Sequence, residues 1–284
     1  MRTSLNLLLW TTHVTEQHYP ILEKLKVAGY DGVEIPIFEG DEAHYRRLGQ
    51  ELQRVGLRCT AVTVVGPEAS PISADASVRK AAVDRLRWAI GMARACGAEI
   101  LCGPFHSPLG VFTGTGPTED EKQRAADVLR QVAEEAQHAG IRLAIEYLNR
   151  FECYFLTTAA DARQLVQRVN HPAFRMMYDT FHANIEEKNI SQTIRSIADV
   201  LIHVHISEND RGVPGSGHVH WEETFRTLRQ IGYDGWLTIE AFGRALPALA
   251  AATKIWRDLF SSPEEVYTQG LAFIKSMWAK YASQ

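Results

Sequence analysis

The chain reads as an α/β protein of the (β/α)8 barrel class. Three observations lead there. Short apolar runs of strand-forming residues alternate with longer segments of helical period from one end to the other. Five helical segments stop at a glycine that leads into the next apolar run, and four apolar runs end in a carboxylate or an imidazole. Eight βα units of this kind close as a parallel barrel. The competing arrangement, an open doubly wound sheet, usually carries a phosphate-binding Gly-x-Gly-x-x-Gly after an early strand, and none is found here.

The units follow in order. A strand over 4–10 is paired with a helix over 16–28, which Ala28-Gly29 stops. The second unit joins 32–37 to 41–55, with its stop at Val55-Gly56, and the third joins 58–65 to 76–96, with its stop at Cys96-Gly97. The fourth joins 98–104 to 118–139, stopped by Ala139-Gly140. Strands over 142–148 and 174–180 precede helices over 158–169 and 190–198. A strand over 201–207 leads to a helix over 221–231 with its stop at Ile231-Gly232, and a last strand over 236–242 leads to a helix over 263–281. Glycine takes the left-handed position after a helix at low steric cost, so it ends the helix and turns the chain. Gly-Tyr-Asp-Gly occurs twice, at 29–32 and 232–235, and each copy feeds a strand carrying a glutamate, Glu34 or Glu240. No linker, low-complexity tract or second core interrupts the pattern, so one catalytic domain over 1–284 is expected. The irregular stretches 66–75, 105–117 and 208–220 each follow a strand, which in a barrel puts them on the active face.

Composition narrows the function. A formal net charge of −4 and a pI near 6.3, with no basic run, exclude a nucleic-acid footprint. The four cysteines, Cys59, Cys96, Cys102 and Cys153, form no Cys-x-x-Cys pair and imply no disulfide framework. A reducing compartment suits them, and a cytoplasmic location is expected. The apolar run Leu5 to Trp10 is too short for a signal peptide and reads as a strand. No apolar run is long enough for a membrane span.

The chemistry sits at strand ends. Leu143-Ala144-Ile145 leads to Glu146, Met176-Met177-Tyr178 to Asp179, Ile202-His203-Val204 to His205, and Leu237-Thr238-Ile239 to Glu240. In a barrel these ends converge on one mouth. Carboxylates gathered at such depth need a cation or must stay protonated. Two Glu, one Asp and one imidazole form a hard, oxygen-rich set that suits one Mn²⁺, with Co²⁺ or Mg²⁺ as the other candidates. The plainer reading makes them separate members of buried ion pairs. Glu152 and His182 lie in the loops that overhang the mouth, and Arg211, after the seventh strand, could hold substrate oxygens. Trp10 and Phe242 end strands one and eight, as aromatic walls or as plain core. His203 is read as a satisfied barrel-interior histidine, with support of the metal site as its alternative. Glu34 is either a structural anchor or a supporting acid, and His13 and His106 could lie near the mouth. Gly215-Ser216-Gly217 lacks the lysine of a phosphate loop.

Glu146-Tyr-Leu-Asn-Arg-Phe-Glu152, Asp179-Thr-Phe-His182, His203-Val-His205 followed by Arg211-Gly-Val-Pro-Gly215, and Lys254-Ile-Trp-Arg257 together resemble the ketose 3-epimerases. These include the D-tagatose, D-psicose (allulose) and L-ribulose 3-epimerases, members of the xylose-isomerase-like TIM barrels. The resemblance covers essentially the whole chain. It implies metal binding by Glu146, Asp179, His205 and Glu240, acid and base roles for Glu146 and Glu240, and contacts to substrate oxygens from Glu152, His182 and Arg211. It also implies a free sugar as partner and a homodimer or homotetramer. The chain departs from the family in Pro104–Phe112, which lacks the tryptophan many members have there, and in Trp10-Thr-Thr-His13. An aldose–ketose isomerase, an inosose-type dehydratase and a non-catalytic sugar-binding protein are the alternatives on the same residues.

Overall fold

The computed structural model describes residues 1–282; the last two positions of the expected domain, 283 and 284, lie outside the described residues. Eight parallel strands close in sequence order into a barrel: β1 (Arg2–Asn6), β2 (Gly32–Pro36), β3 (Arg58–Val62), β4 (Ile100–Gly103), β5 (Arg142–Ile145), β6 (Phe174–Asp179), β7 (Leu201–Ile206) and β8 (Trp236–Ile239). Eight helices match the expected ones: α1 (Tyr19–Ala28), α2 (Glu42–Val55), α3 (Ala76–Cys96), α4 (Glu119–Ala139), α5 (Ala159–Val169), α7 (Ile190–Ser196), α8 (Trp221–Gln230) and α10 (Pro263–Lys280). Two short helices were not anticipated, α6 (Thr180–Glu186) directly after β6 and α9 (Pro247–Thr253) after β8.

Local chemistry sets the helix ends. Gly29, Gly56, Gly97 and Gly140 take positive φ at the C-caps of the first four helices. Gly232 does so one residue past the C-cap of α8. The side chains of Thr118 and Thr158 cap α4 and α5, and each receives a reciprocal carboxylate from Glu121 or Asp161.

Alternation along the strands divides the packing into two layers. One face, with residues such as Leu101, Leu143 and Leu237, packs outward under helix residues such as Leu86, Leu129 and Phe225. Fully burying each of these large side chains is worth about 1.5–3 kcal/mol. The other face fills the barrel with Ile100, Cys102, Ala144, Met177 and Trp236, and with the buried polar groups Ser4, Asn6, Glu34, Thr60, His203 and Thr238. A register shift between Met176 and Met177 skips Ile202, so that Asp179 stands level with His205. Among the described residues no helix is long and apolar enough to cross a membrane.

Candidate metal centre and active site

Glu146 follows β5, Asp179 closes β6, His205 lies one residue from the end of β7, and Glu240 follows β8. All four are buried, and one ligand atom from each lies within 4.8 Å of the others. Backbone bonds seat the two glutamates: Glu146 N donates to Gly103 O at 3.1 Å, and Glu240 N to Ile206 O at 3.2 Å.

The imidazole decides whether this group suits a cation. His205 Nε2 lies 2.7 Å from Glu34 Oε1, while Nδ1 faces Glu240 Oε1 at 3.4 Å. Among the described residues Nδ1 is buried and has no hydrogen-bond partner. An unpartnered nitrogen turned into three carboxylates is a donor set that a hard divalent ion satisfies. Burial opposes charge on both Glu34 and His205. For Glu34, attraction to His205 and His203 wins and holds the carboxyl well below its usual range. For His205, attraction to Glu34 and Glu240 wins and raises the ring well above its usual value. Burial, with Glu240 and Asp179 nearby, pushes Glu146 well up, whereas His205 and Arg211 outweigh burial at Glu240 and lower it.

Arg211 is more deeply placed than a loop position suggests. It is buried, takes φ 68°, and its Nη1 donates to Asp179 Oδ2 at 2.8 Å and Glu240 Oε2 at 2.7 Å. Its guanidinium lies over the rings of Phe181 (3.8 Å to the centroid) and Phe242 (5.1 Å). His182 Nε2 stands 3.6 Å from Glu146 Oε1 and 3.7 Å from Asp179 Oδ2. Glu152 accepts from Asn149 Nδ2 at 2.6 Å, and burial raises its carboxyl.

A cavity of about 450 Å³ opens above these groups. Glu146, Glu152, His182, Arg211, Glu240 and Phe242 line it, and much of the remaining wall is apolar, including Leu8, Phe38, Val62 and Leu249. Trp10 is not among the lining residues, which favours plain core packing, the second of the two readings open to it. The first strand ends at Asn6, and a 3-10 turn over Leu7–Leu9 puts Leu8 at the cavity and carries Trp10 away to pack on Tyr267, with ring centroids 6.3 Å apart. His13 stacks on His44, also off the cavity, with centroids 4.4 Å apart. His106 is buried beside Phe155, and burial lowers its ring to about 3. The sequence reading passed over Asn6 and Asn149. The available signal for Asn6 was an amide inside the apolar run Leu5-Asn6-Leu7.

Eight parallel strands closed in sequence order, with acids and an imidazole converging at their C-terminal ends, define a TIM barrel of the xylose isomerase-like class, and residues 22–277 match that family as a whole. The ketose 3-epimerase of Arthrobacter globiformis is 31% identical over 272 residues, which cover 94% of this chain and 93% of that protein. A solved L-ribulose 3-epimerase superposes with a TM-score of 0.93 at 28% identity, covering 99% of this chain and 95% of the other. A D-allulose 3-epimerase from Methylomonas sp., solved in complex with D-allulose, superposes with a TM-score of 0.91 at 27% identity, covering 98% and 97%. The chain belongs to the xylose isomerase-like TIM barrels and, within them, to the ketose 3-epimerases; it is a carbohydrate epimerase, an isomerase.

Proposed function

We propose that the protein epimerises free ketoses at C3 with one divalent ion per chain, Mn²⁺ foremost and Co²⁺ or Mg²⁺ as substitutes, held by Glu146, Asp179, His205 and Glu240. D-tagatose, the D-fructose/D-psicose pair and L-ribulose are the substrates to test. The observation that carries this reading is that Glu146 and Glu240, from strands three apart around the barrel, line one cavity together with His182 and Arg211. A volume of about 450 Å³ accommodates a six-carbon sugar.

A bound divalent ion supplies Lewis-acid stabilisation of the charge that develops on substrate oxygen. One of the two glutamates accepts the proton from C3. The C–H electron pair moves into the C2 carbonyl and leaves a cis-enediolate. The other glutamate delivers a proton to C3 from the opposite face, and the carbonyl re-forms. One proton leaves and one returns, so the sugar changes only its configuration. His182 and Arg211 donate to oxygens near C1 to C3, Glu152 accepts from a hydroxyl, and Phe242 covers a sugar face. The apolar far wall makes few polar demands on the distal carbons. The chain acts as one catalytic domain in a cytoplasmic homodimer or homotetramer.

Proton NMR in D₂O, with metal-stripped protein and a panel of ketoses, tests the reading. Mn²⁺-dependent deuterium uptake at C3 with growth of the C3 epimer is the expected result. Uptake at C1 with an aldose product would replace the reading with an aldose–ketose isomerase, and absence of exchange on every ketose would overturn it.

A further inference from the structure

Beneath the quartet, Glu34 is completely buried on β2 and gathers five donors. Its Oε1 faces His205 Nε2 at 2.7 Å and accepts from Asn6 Nδ2 at 3.0 Å. Its Oε2 faces His203 Nε2 at 2.8 Å and accepts from Thr60 Oγ1 at 2.8 Å and Cys102 Sγ at 3.2 Å. Glu34, Cys102, His203 and His205 also group as possible metal donors, but the spacing argues otherwise. Two ligands of one tetrahedral ion at about 2.0–2.2 Å would stand roughly 3.3–3.6 Å apart. The 2.7 and 2.8 Å separations are those of hydrogen bonds, with protons between the atoms.

We propose that Glu34 is a positioning residue for the metal centre. It holds His205 as the Nε2–H tautomer, and so turns the Nδ1 lone pair toward Glu146, Asp179 and Glu240. Asn6 extends the hold to a second ligand: the same Nδ2 that donates to Glu34 donates to Glu240 Oε1 at 3.0 Å. The orientation of that amide is fixed by Leu8 N donating to Asn6 Oδ1 at 2.9 Å. A glutamine at position 34 keeps the shape but turns an NH₂ toward donors on one side or the other. Outer partners of this kind are worth roughly 10–100-fold in metal affinity.

The inference rests on the reading that the quartet holds a divalent ion, and the experiment separates the two. Metal-stripped wild type and Glu34→Gln are titrated with Mn²⁺ and followed by electron paramagnetic resonance. Failure of the wild type to bind overturns both. Binding by the wild type with a Kd roughly 10–100-fold weaker in Glu34→Gln supports the role of Glu34, and an unchanged Kd overturns it alone. Thr60→Val removes a donor to the same carboxylate without touching either histidine. It is expected to leave Mn²⁺ affinity in place, and a loss as large as that of Glu34→Gln would make the effect one of packing and overturn the inference. Should Glu34→Gln not fold, ¹H–¹⁵N spectra of the Mg²⁺-loaded wild type report the tautomer directly. A proton on His205 Nε2 is expected, and one on Nδ1 refutes the proposal.

Discussion

The backbone N–H of Asn149 donates to Nδ1 of His182 at 3.0 Å. Since that nitrogen must accept, the neutral ring carries its proton on Nε2, which faces Glu146 and Asp179 and lies 3.1 Å from Arg211 Nη2, itself only a donor, so two donors converge there and call for an acceptor between them. Burial, helped by Arg211 and His205, holds the ring's pKa well below its usual value, which keeps it neutral. His182 is therefore set to donate one hydrogen bond to a substrate oxygen. Its loss in His182→Ala should lower kcat/KM by roughly 10–100-fold, the effect of a hydrogen bond worth about 1.5–3 kcal/mol. Steady-state kinetics on D-psicose and L-ribulose check this, and wild-type values would remove His182 from the substrate contacts.

Glu146→Gln and Glu240→Gln preserve shape and remove a proton acceptor. Each is expected to reduce epimerisation by at least ~10²–10⁴-fold. Deuterium exchange at C3, measured apart from product formation, shows whether one variant still abstracts the proton without returning it. Full turnover in either would contradict the two-base scheme.

Removing the metal should stop turnover, and Mn²⁺ should restore it. An ion bound only by the folded protein also stabilises it, by about 2.7 kcal/mol at a hundred times Kd. Thermal melts with increasing Mn²⁺ should show a rising midpoint; a midpoint indifferent to Mn²⁺ counts against the centre.

Gly103 ends β4 with φ 123°, and a Cβ there would press on the Thr63 carbonyl oxygen. Gly103→Ala should cost about 1–3 kcal/mol of stability, read from urea unfolding. Because Gly103 O also receives the N–H of Glu146, activity should fall with it. An alanine variant as stable and active as the wild type would show that the backbone relaxes.

All four cysteines are free and buried. Burial pushes the Cys153 thiol up to about 11 and raises Cys102 well above the usual thiol value; Cys59 is raised by its hydrogen bond with Cys96 and by burial. Ellman's reagent should therefore react slowly with the native protein and fully after unfolding. Rapid native reaction at any of the four would show local opening there.

The barrel was legible because both of its requirements leave periodic marks: apolar strands every few dozen residues, and glycines where helices stop. The quartet was legible because a polar residue ending an apolar strand is conspicuous. Short-range packing left weaker marks. Asp179 is itself the N-cap of helix α6, its side chain accepting from Phe181 N, and the helix's seven residues carry no periodic face long enough to read. Helix α9 buries only Ala250. Trp10 stands clear of the cavity because the strand expected to run through Leu7–Leu9 tightens there into a 3-10 turn. Beneath the centre, Glu34 was legible as a candidate supporting acid, but its partners Asn6 and Cys102 are brought to it by closure of the sheet, and no local pattern records that meeting.

Closure also sets when the protein can begin to work. Arg2 pairs with Trp236, and Asn6 reaches Glu240 across 234 positions of sequence. A chain emerging from the ribosome presents its first strand with one edge open, and that edge stays open until the eighth strand is made. The last member of the quartet, Glu240, follows that same strand. The intermediate lengths have neither a sealed sheet nor a complete site, so an arrested product of synthesis is inert and exposes a bare strand edge to its neighbours.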